Sequence, residues 1–247
     1  MNKKNAIAIS LDYNYKEYLN ILITSLIDVK CTTKIFVRLV DFTDEEIKEV
    51  KSLYDINFII DKPNLSAKKT ILKKTIDKDE IKSHNVQNLF DLKQFLCSPR
   101  SFYACHSRFL NIEELFKMGY KNVLTLDCDT FVLKNFDDIF IFDEDICVVQ
   151  NIGDNKDNIF SNEGFLLFKK NKTNVNYINK INEYLFNDNN YLSWNVDYKA
   201  LNKFLNSSST IKILPEKYKD KLHRDNAIMW SGNNNNKNKI MKIYNEK

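Results

Sequence analysis

The sequence predicts an α/β fold, a mostly parallel central sheet flanked by helices. Two observations support this. Strand-like and helix-like runs alternate from residue 4 to residue 60, and parallel neighbours need such crossovers. The 247-residue chain is 43% hydrophobic and 13% aromatic. A chain this long buries roughly 70–75% of the surface its unfolded form exposes.

Lys4–Leu11 is an apolar run ended by Asp12, too short for a signal-peptide core and suited to a first buried strand. Tyr15–Val29 repeats Leu19, Leu22, Ile23 and Leu26 at helical spacing. Lys34–Val40 is β-rich. Thr43-Asp44-Glu45-Glu46 forms a capping box that opens a helix to about Tyr54, with Ile47, Val50 and Leu53 on one face. Ile56–Ile60 is a third strand. Residues 62–90 are polar and lysine-rich, either a partly ordered lid or acceptor loop or a solvated surface helix. From Ser101, a helical stripe of Phe102, Phe109, Ile112, Leu115 and Phe116 runs to Gly119 at a C-cap position. The strand Asn122–Leu126 follows, then Asp127-Cys128-Asp129. Ile146–Val149, Gly164–Phe168 and Ile211–Leu214 read as strands, Val175–Phe186 and Trp194–Leu205 as helices. Residues 231–247 form a polar tail. No repeat or proline-rich linker divides the chain, so residues 1–247 are expected to form a single domain.

Composition narrows the function classes. Lysine plus arginine number 37 against 33 acidic residues, and a balance of +4 is too weak to demand nucleic acid. Five cysteines with no C-x-x-C pair argue against a disulfide framework or zinc knuckle and fit a reducing compartment. No run approaches the ~18 apolar residues of a membrane span. A cytoplasmic protein without a membrane span is expected. Only four glycines are present, Gly119, Gly153, Gly164 and Gly232, and none pair into G-x-G-x-x-G or a Walker loop. Any phosphate would have to be held by side chains or a metal.

Asp127 and Asp129 supply such a device. On an extended chain, side chains at i and i+2 share a face, while Cys128 turns the other way. Both carboxylates follow an apolar strand, at the edge where α/β sheets bind ligands. Two carboxylates this close repel unless a proton or cation separates them. Few, hard oxygen ligands suit Mg²⁺ or Mn²⁺, which complete their shell with water and substrate phosphates.

The stretches Cys105-His106-Ser107-Arg108-Phe109-Leu110, Asn122 to Thr130 and Phe136-Asp137-Asp138-Ile139-Phe140 resemble the core of family 8 glycosyltransferases. Ser10 to Tyr15, Asn162-Glu163-Gly164, Asp197 to Asn202 and Leu214 to Tyr218 resemble four further family segments, in the same order. The resemblance implies a GT-A fold and a nucleotide-diphosphate sugar donor, usually a UDP-sugar, with a glycan, lipid or protein as acceptor. It assigns Asp127 and Asp129 to Mn²⁺ or Mg²⁺ against the diphosphate, with Cys128 between them. Asp12, Tyr13 and Tyr15 border the base. Arg108 contacts the donor sugar or pairs with the carboxylates. Asn162, Gly164 and Asp197 line the sugar and acceptor side. The bland alternatives are Asp12 as a helix cap, Tyr15 as packing and Arg108 as a surface arginine.

The pattern also departs from the family. Its late metal-binding histidine has no counterpart at Ile228–Gly232, so either His223 reaches the metal or water takes that position. Lys237 or Lys239 is a candidate for a diphosphate oxygen. Tyr198 and Glu163 replace the usual residues near the acceptor. A retaining reaction is expected by analogy. An inverting one needs a carboxylate base, for which Glu163 and Asp197 are candidates. A nucleotidyltransferase on a related sheet and a degenerate sugar-nucleotide binder are the competing readings.

Overall fold

The first strand, β1 (Asn5–Leu11), divides its side chains between two layers: Ile7, Ile9 and Leu11 enter one core cluster, Ala6 and Ala8 the other. The computed structural model describes residues 4–65, 98–149, 164–186, 196–205, 207–222, 224–231, 242 and 244. After β1 come α1 (Lys16–Asp28), β2 (Lys34–Val40), α2 (Asp44–Leu53) and β3 (Asn57–Asp61). Then follow α3 (Pro99–His106), α4 (Arg108–Lys117), β4 (Asn122–Leu126), β5 (Thr130–Val132), β6 (Ile146–Val149) and β7 (Phe165–Lys169). The last elements are α5 (Lys172–Phe186), α6 (Val196–Phe204), β8 (Ile211–Leu214) and β9 (Met229–Ser231). The 62–90 excursion lies almost wholly outside the described residues.

Seven strands form one sheet in the order β3-β2-β1-β4-β7-β6-β8. The pairs β1–β2, β2–β3, β1–β4 and β6–β8 are parallel, and β7 runs antiparallel to both its neighbours. Leu19, Leu22, Ile23 and Leu26 of α1 and Val50 of α2 cover the Ile7–Ile9–Leu11 face. Phe102 of α3, with residues of α4, α5 and α6, covers the other. Ala6 and Ala8 share this cluster with the aromatic rings of Phe102 and Phe109. Each large apolar side chain so buried contributes about 1.5–3 kcal/mol.

The stripe expected to run from Ser101 to Gly119 as one helix is two helices. Ser107 is both the last cap of α3 and the first of α4, and its hydroxyl donates to the Ala104 carbonyl at 3.0 Å. A serine hydroxyl that engages its own preceding turn competes with continued helix. Gly119, at φ +94°, ends α4. Its N–H donates to Phe116 and that of Tyr120 to Leu115, the paired bonds of a Schellman stop. The capping box at Thr43 and Glu46 is present as expected.

A second, two-stranded sheet pairs β5 with β9, Thr130 opposite Ser231 and Val132 opposite Met229. It brings residues 229–231 beside the segment that follows β4. Neither three-residue strand was expected.

Arg38 ties the parallel half together. Only 5% exposed, it donates to Asn111 Oδ1 (2.7 Å), Asp61 Oδ2 (2.5 Å) and Glu114 Oε2 (2.6 Å), joining β2, β3 and α4. Asn111 in turn donates to the Ile9 carbonyl and to Ser10 Oγ, fixing the exit of β1. Arg38→Met removes the charge but keeps the bulk, leaving Asp61 and Asn111 short of a partner. The expected loss is about 2–3 kcal/mol, read as a melting temperature lower by roughly 5–10 °C.

Candidate active site

β1 and β4 are parallel neighbours, and the segments leaving their carboxyl ends line one cleft of about 170 Å³. This is the edge at which open α/β sheets take ligands.

Asp12 follows β1 and is fully buried. Its Oδ1 accepts from the Asn14 N–H at 3.0 Å, capping a short 3-10 turn at Tyr13–Tyr15, and its Oδ2 accepts from Ser101 Oγ at 3.2 Å. The capping alternative is therefore real, though the capped element is the turn rather than α1. Tyr15 lines the cleft. Tyr13 is turned edge-on to Phe42 at 5.6 Å and hydrogen-bonds with Lys16 and Glu49, outside the cleft lining.

Asp127 and Asp129 both line the cleft, but not as alternate residues of an extended strand. The chain turns at Cys128 and Asp129, closed by the Thr130 N–H donating to the Asp127 carbonyl at 3.1 Å. β5 then leaves in a new direction toward its partner β9. Cys128 is buried, sharing in the core while touching the cleft.

Each Asp127 oxygen faces a cation. Oδ1 lies 3.1 Å from an Arg108 guanidinium nitrogen and Oδ2 lies 2.8 Å from the Lys219 ammonium. Arg108 is the first residue of α4, so the break at Ser107 sets its direction. Its Nε donates to the Cys105 carbonyl at 2.8 Å and another nitrogen approaches Cys105 Sγ at 3.2 Å. Burial is the largest influence on Asp127 and opposes its ionisation, but Lys219 and Arg108 together outweigh it. The carboxyl is held well below the usual carboxylate range.

Gly164 completes the enclosure. Its carbonyl accepts the Asp127 N–H at 3.0 Å, and a Cβ at this position would stand 1.6 Å from Asp127 Oδ2 and 2.0 Å from Lys219 Nζ. No side chain fits there.

Asp197 is buried on α6, its Oδ2 3.4 Å from His106 Nδ1, outside the lining of the cleft. Burial raises its pKa, but His106 and Arg108 outweigh that and lower it overall. Cys105 offers a sulfur to the same group, the three ligand atoms lying within 4.8 Å of one another. Among the described residues this trio has the composition of a metal site. Burial pushes the Cys105 thiol up to about 12, so it is neutral near pH 7. An imidazole facing a carboxylate is also how a buried structural pair is built.

Asn162, Glu163, His223, Lys237 and Lys239 lie outside the described residues. Sequence reasoning missed Lys219. The chain offers many lysines, two of them flanking Tyr218, and nothing in their spacing says that this one turns inward. It also missed Ser101, which reaches Asp12 across 89 positions.

A family model described as nucleotide-diphospho-sugar transferase matches residues 81–242. Among solved structures, the galactosyltransferase LgtC in complex with donor and acceptor sugar analogs is similar at TM-score 0.58 and 15% identity, over 98% of this chain and 95% of that one. The apo glycosyltransferase GlyE of Streptococcus pneumoniae TIGR4 is similar at TM-score 0.51 and 17% identity, over 88% of this chain. This chain spans 46% of the length of GlyE. Mouse xyloside xylosyltransferase 1 is similar at TM-score 0.51 and 8% identity, over 94% of this chain and 98% of that one. At these identities the likeness is one of fold. No curated protein sequence is a significant match.

Two predictions follow from the geometry around Asp127. Gly164→Ala drives a carbon into the Asp127–Lys219 pair, so the melting temperature should fall by several degrees while the far-ultraviolet circular dichroism keeps its shape. Asp127 and Asp197 both titrate below the ordinary aspartate range in the folded state. Their contribution to stability is complete above the unfolded value of about 3.9 and is lost as pH falls below it. The melting temperature should be flat from about pH 7 to 5 and drop below about pH 4, with a shallower drop in Asp197→Asn.

Proposed function

The chain belongs to the nucleotide-diphospho-sugar transferase family, and from that membership we propose that it moves a hexose from a nucleotide-diphosphate sugar, foremost a UDP-sugar, to a glycan, lipid or protein acceptor. The observation that supports this best is the cleft shared by the ends of β1 and β4. Asp12 and Tyr15 line it from the segment after β1, Arg108 from the start of α4 and the Asp127–Asp129 turn from the end of β4. A base would lie against Asp12 and Tyr15, and the diphosphate and sugar against Arg108 and the turn. Gly164, with Asn162 and Glu163 before it, would border the sugar and acceptor.

Asp127 is ionised and already holds Lys219 as a stand-in cation, so its oxygens suit a hard positive ion. Asp127 and Asp129, with His223 or water, would hold Mn²⁺ or Mg²⁺. When bound, such an ion acts as a Lewis acid that offsets charge developing on the leaving nucleoside diphosphate. The chain's own contribution is positional. Arg108, tethered to the Cys105 carbonyl, presents a guanidinium that needs little reorganisation to meet that charge. In the donor-free protein Asp127 stays charged because two cations face it.

We assign the reaction as retaining. An inverting enzyme needs a carboxylate to take the acceptor proton; Asp197, 2% exposed and engaged by His106, is poorly placed for it, which leaves Glu163 as the other candidate base. A nucleotidyltransferase would need a basic, glycine-rich first loop, where this chain has the buried Asp12. No described helix is long and apolar enough to cross a membrane.

Incubation with a panel of nucleotide sugars and Mn²⁺, followed by assay of free nucleoside diphosphate, tests the reading. One donor should be slowly hydrolysed, with the signal lost in EDTA and in Asp129→Asn. Binding of a donor without release under any condition would favour a sugar-nucleotide binder, and binding of none would end the transferase reading. Arg108→Ala should lower turnover at least tenfold while moving the melting temperature by only a few degrees; parallel losses would make the arginine structural.

A further inference from the structure

We propose that Lys219 is the resident counter-ion of Asp127 and competes with a divalent cation for its Oδ2. The proposal rests on the Mn²⁺ or Mg²⁺ reading above and adds a residue that sets how strongly the ion is held.

Lys219 is only 5% exposed, which is rare for a lysine unless it is paired. Its partner is unambiguous: Nζ stands 2.8 Å from Asp127 Oδ2, and Arg108 takes Oδ1 at 3.1 Å. A doubly charged ion approaching Asp127 therefore meets two positive groups already in contact with the carboxylate, and like charges at such distances repel strongly in a partly dry site. The ammonium is closed in on the Gly164 side. Gly164 is packed so closely on the pair that a single added carbon would lie 2.0 Å from Nζ.

The backbone beneath Lys219 is also pinned. Its own N–H donates to the Glu216 carbonyl at 2.8 Å, and the next residue, Asp220, donates to Met229 at 2.9 Å and accepts from Ser231 at 3.1 Å. The segment is thus tied to β9, which pairs with β5 directly after the Asp127–Asp129 turn. An ammonium carried by a fixed backbone into an enclosed carboxylate is built into the site. Ion and ammonium are alternatives on one oxygen, and entry of the ion requires the Lys219 side chain to withdraw. In the donor-free protein Mn²⁺ is accordingly held weakly, and the charge of Asp127 is met without it.

Electron paramagnetic resonance of free aqueous Mn²⁺ reads the competition without any turnover. Donor-free wild type, Lys219→Met and Lys219→Arg are titrated with MnCl₂, each checked for fold by circular dichroism. Lys219→Met should bind Mn²⁺ at least tenfold more tightly than wild type, Lys219→Arg should stay close to wild type, and adding Asp127→Asn to Lys219→Met should erase the gain. Lys219→Gln replaces the Met variant if that one does not fold. Equal or weaker Mn²⁺ binding in a folded Met or Gln variant overturns the competition while leaving the metal reading intact. Absence of Mn²⁺ binding from all the proteins overturns the metal reading and this proposal together.

Discussion

A single carboxylate at the end of the central strand, Asp127, sets the demands that the surrounding chain meets. Ionised and partly withdrawn from water, it is tolerable only with positive partners, and it has two, at 3.1 and 2.8 Å. Each comes from a different part of the chain. Arg108 is delivered by the break between α3 and α4 and Lys219 by the turn after β8, and the Asp127–Lys219 pair needs the bare backbone of Gly164 alongside. The helix break, the glycine and the small β5–β9 sheet thus serve one electrostatic requirement.

That requirement is met on a rigid frame. Arg38 and Asn111, buried between β2, β3 and α4, fix where β1 ends, and Asp12 follows directly from that end. Ser101 reaches Asp12 from α3, the helix whose last turn also carries the Cys105 carbonyl that anchors Arg108. The segments lining the cleft are therefore linked through buried polar contacts rather than through loops alone. A cofactor or substrate arriving there meets groups whose directions are already set.

Much of the frame was legible in the sequence, and the parts that were not have common physical causes. β2, β4, β6 and β8 begin and end where their apolar-rich runs do; β4 and β6 are buried along their whole length, whereas β8 is an edge strand with Ile213 exposed. Thr43 and Glu46 announced α2 through complementary side chains three positions apart. The break at Ser107 stayed hidden because Phe102 and Phe109 keep helical spacing across it. β5 and β9 are three residues each, too short for any period to register. Asp127 and Asp129 were found, yet for a reason that holds only in part: the chain turns between them, and they share a cleft because of the turn. Lys219 carried no local signal, since its burial depends on a carboxylate 92 positions away.

That distance along the chain has a consequence for how the protein is made. The units β1–α1–β2–α2–β3 pair near neighbours and fold early, whereas contacts between remote segments form late because loop closure must come first. During synthesis at ~5–20 residues per second, Asp127 emerges some 5–20 s before Lys219. Over that interval the carboxylate has Arg108 but lacks its second partner, and Thr130 has no β9 to pair with. The Asp127–Lys219 pair thus forms only once the chain through residue 219 is in place, later than the contacts within β1–α1–β2–α2–β3.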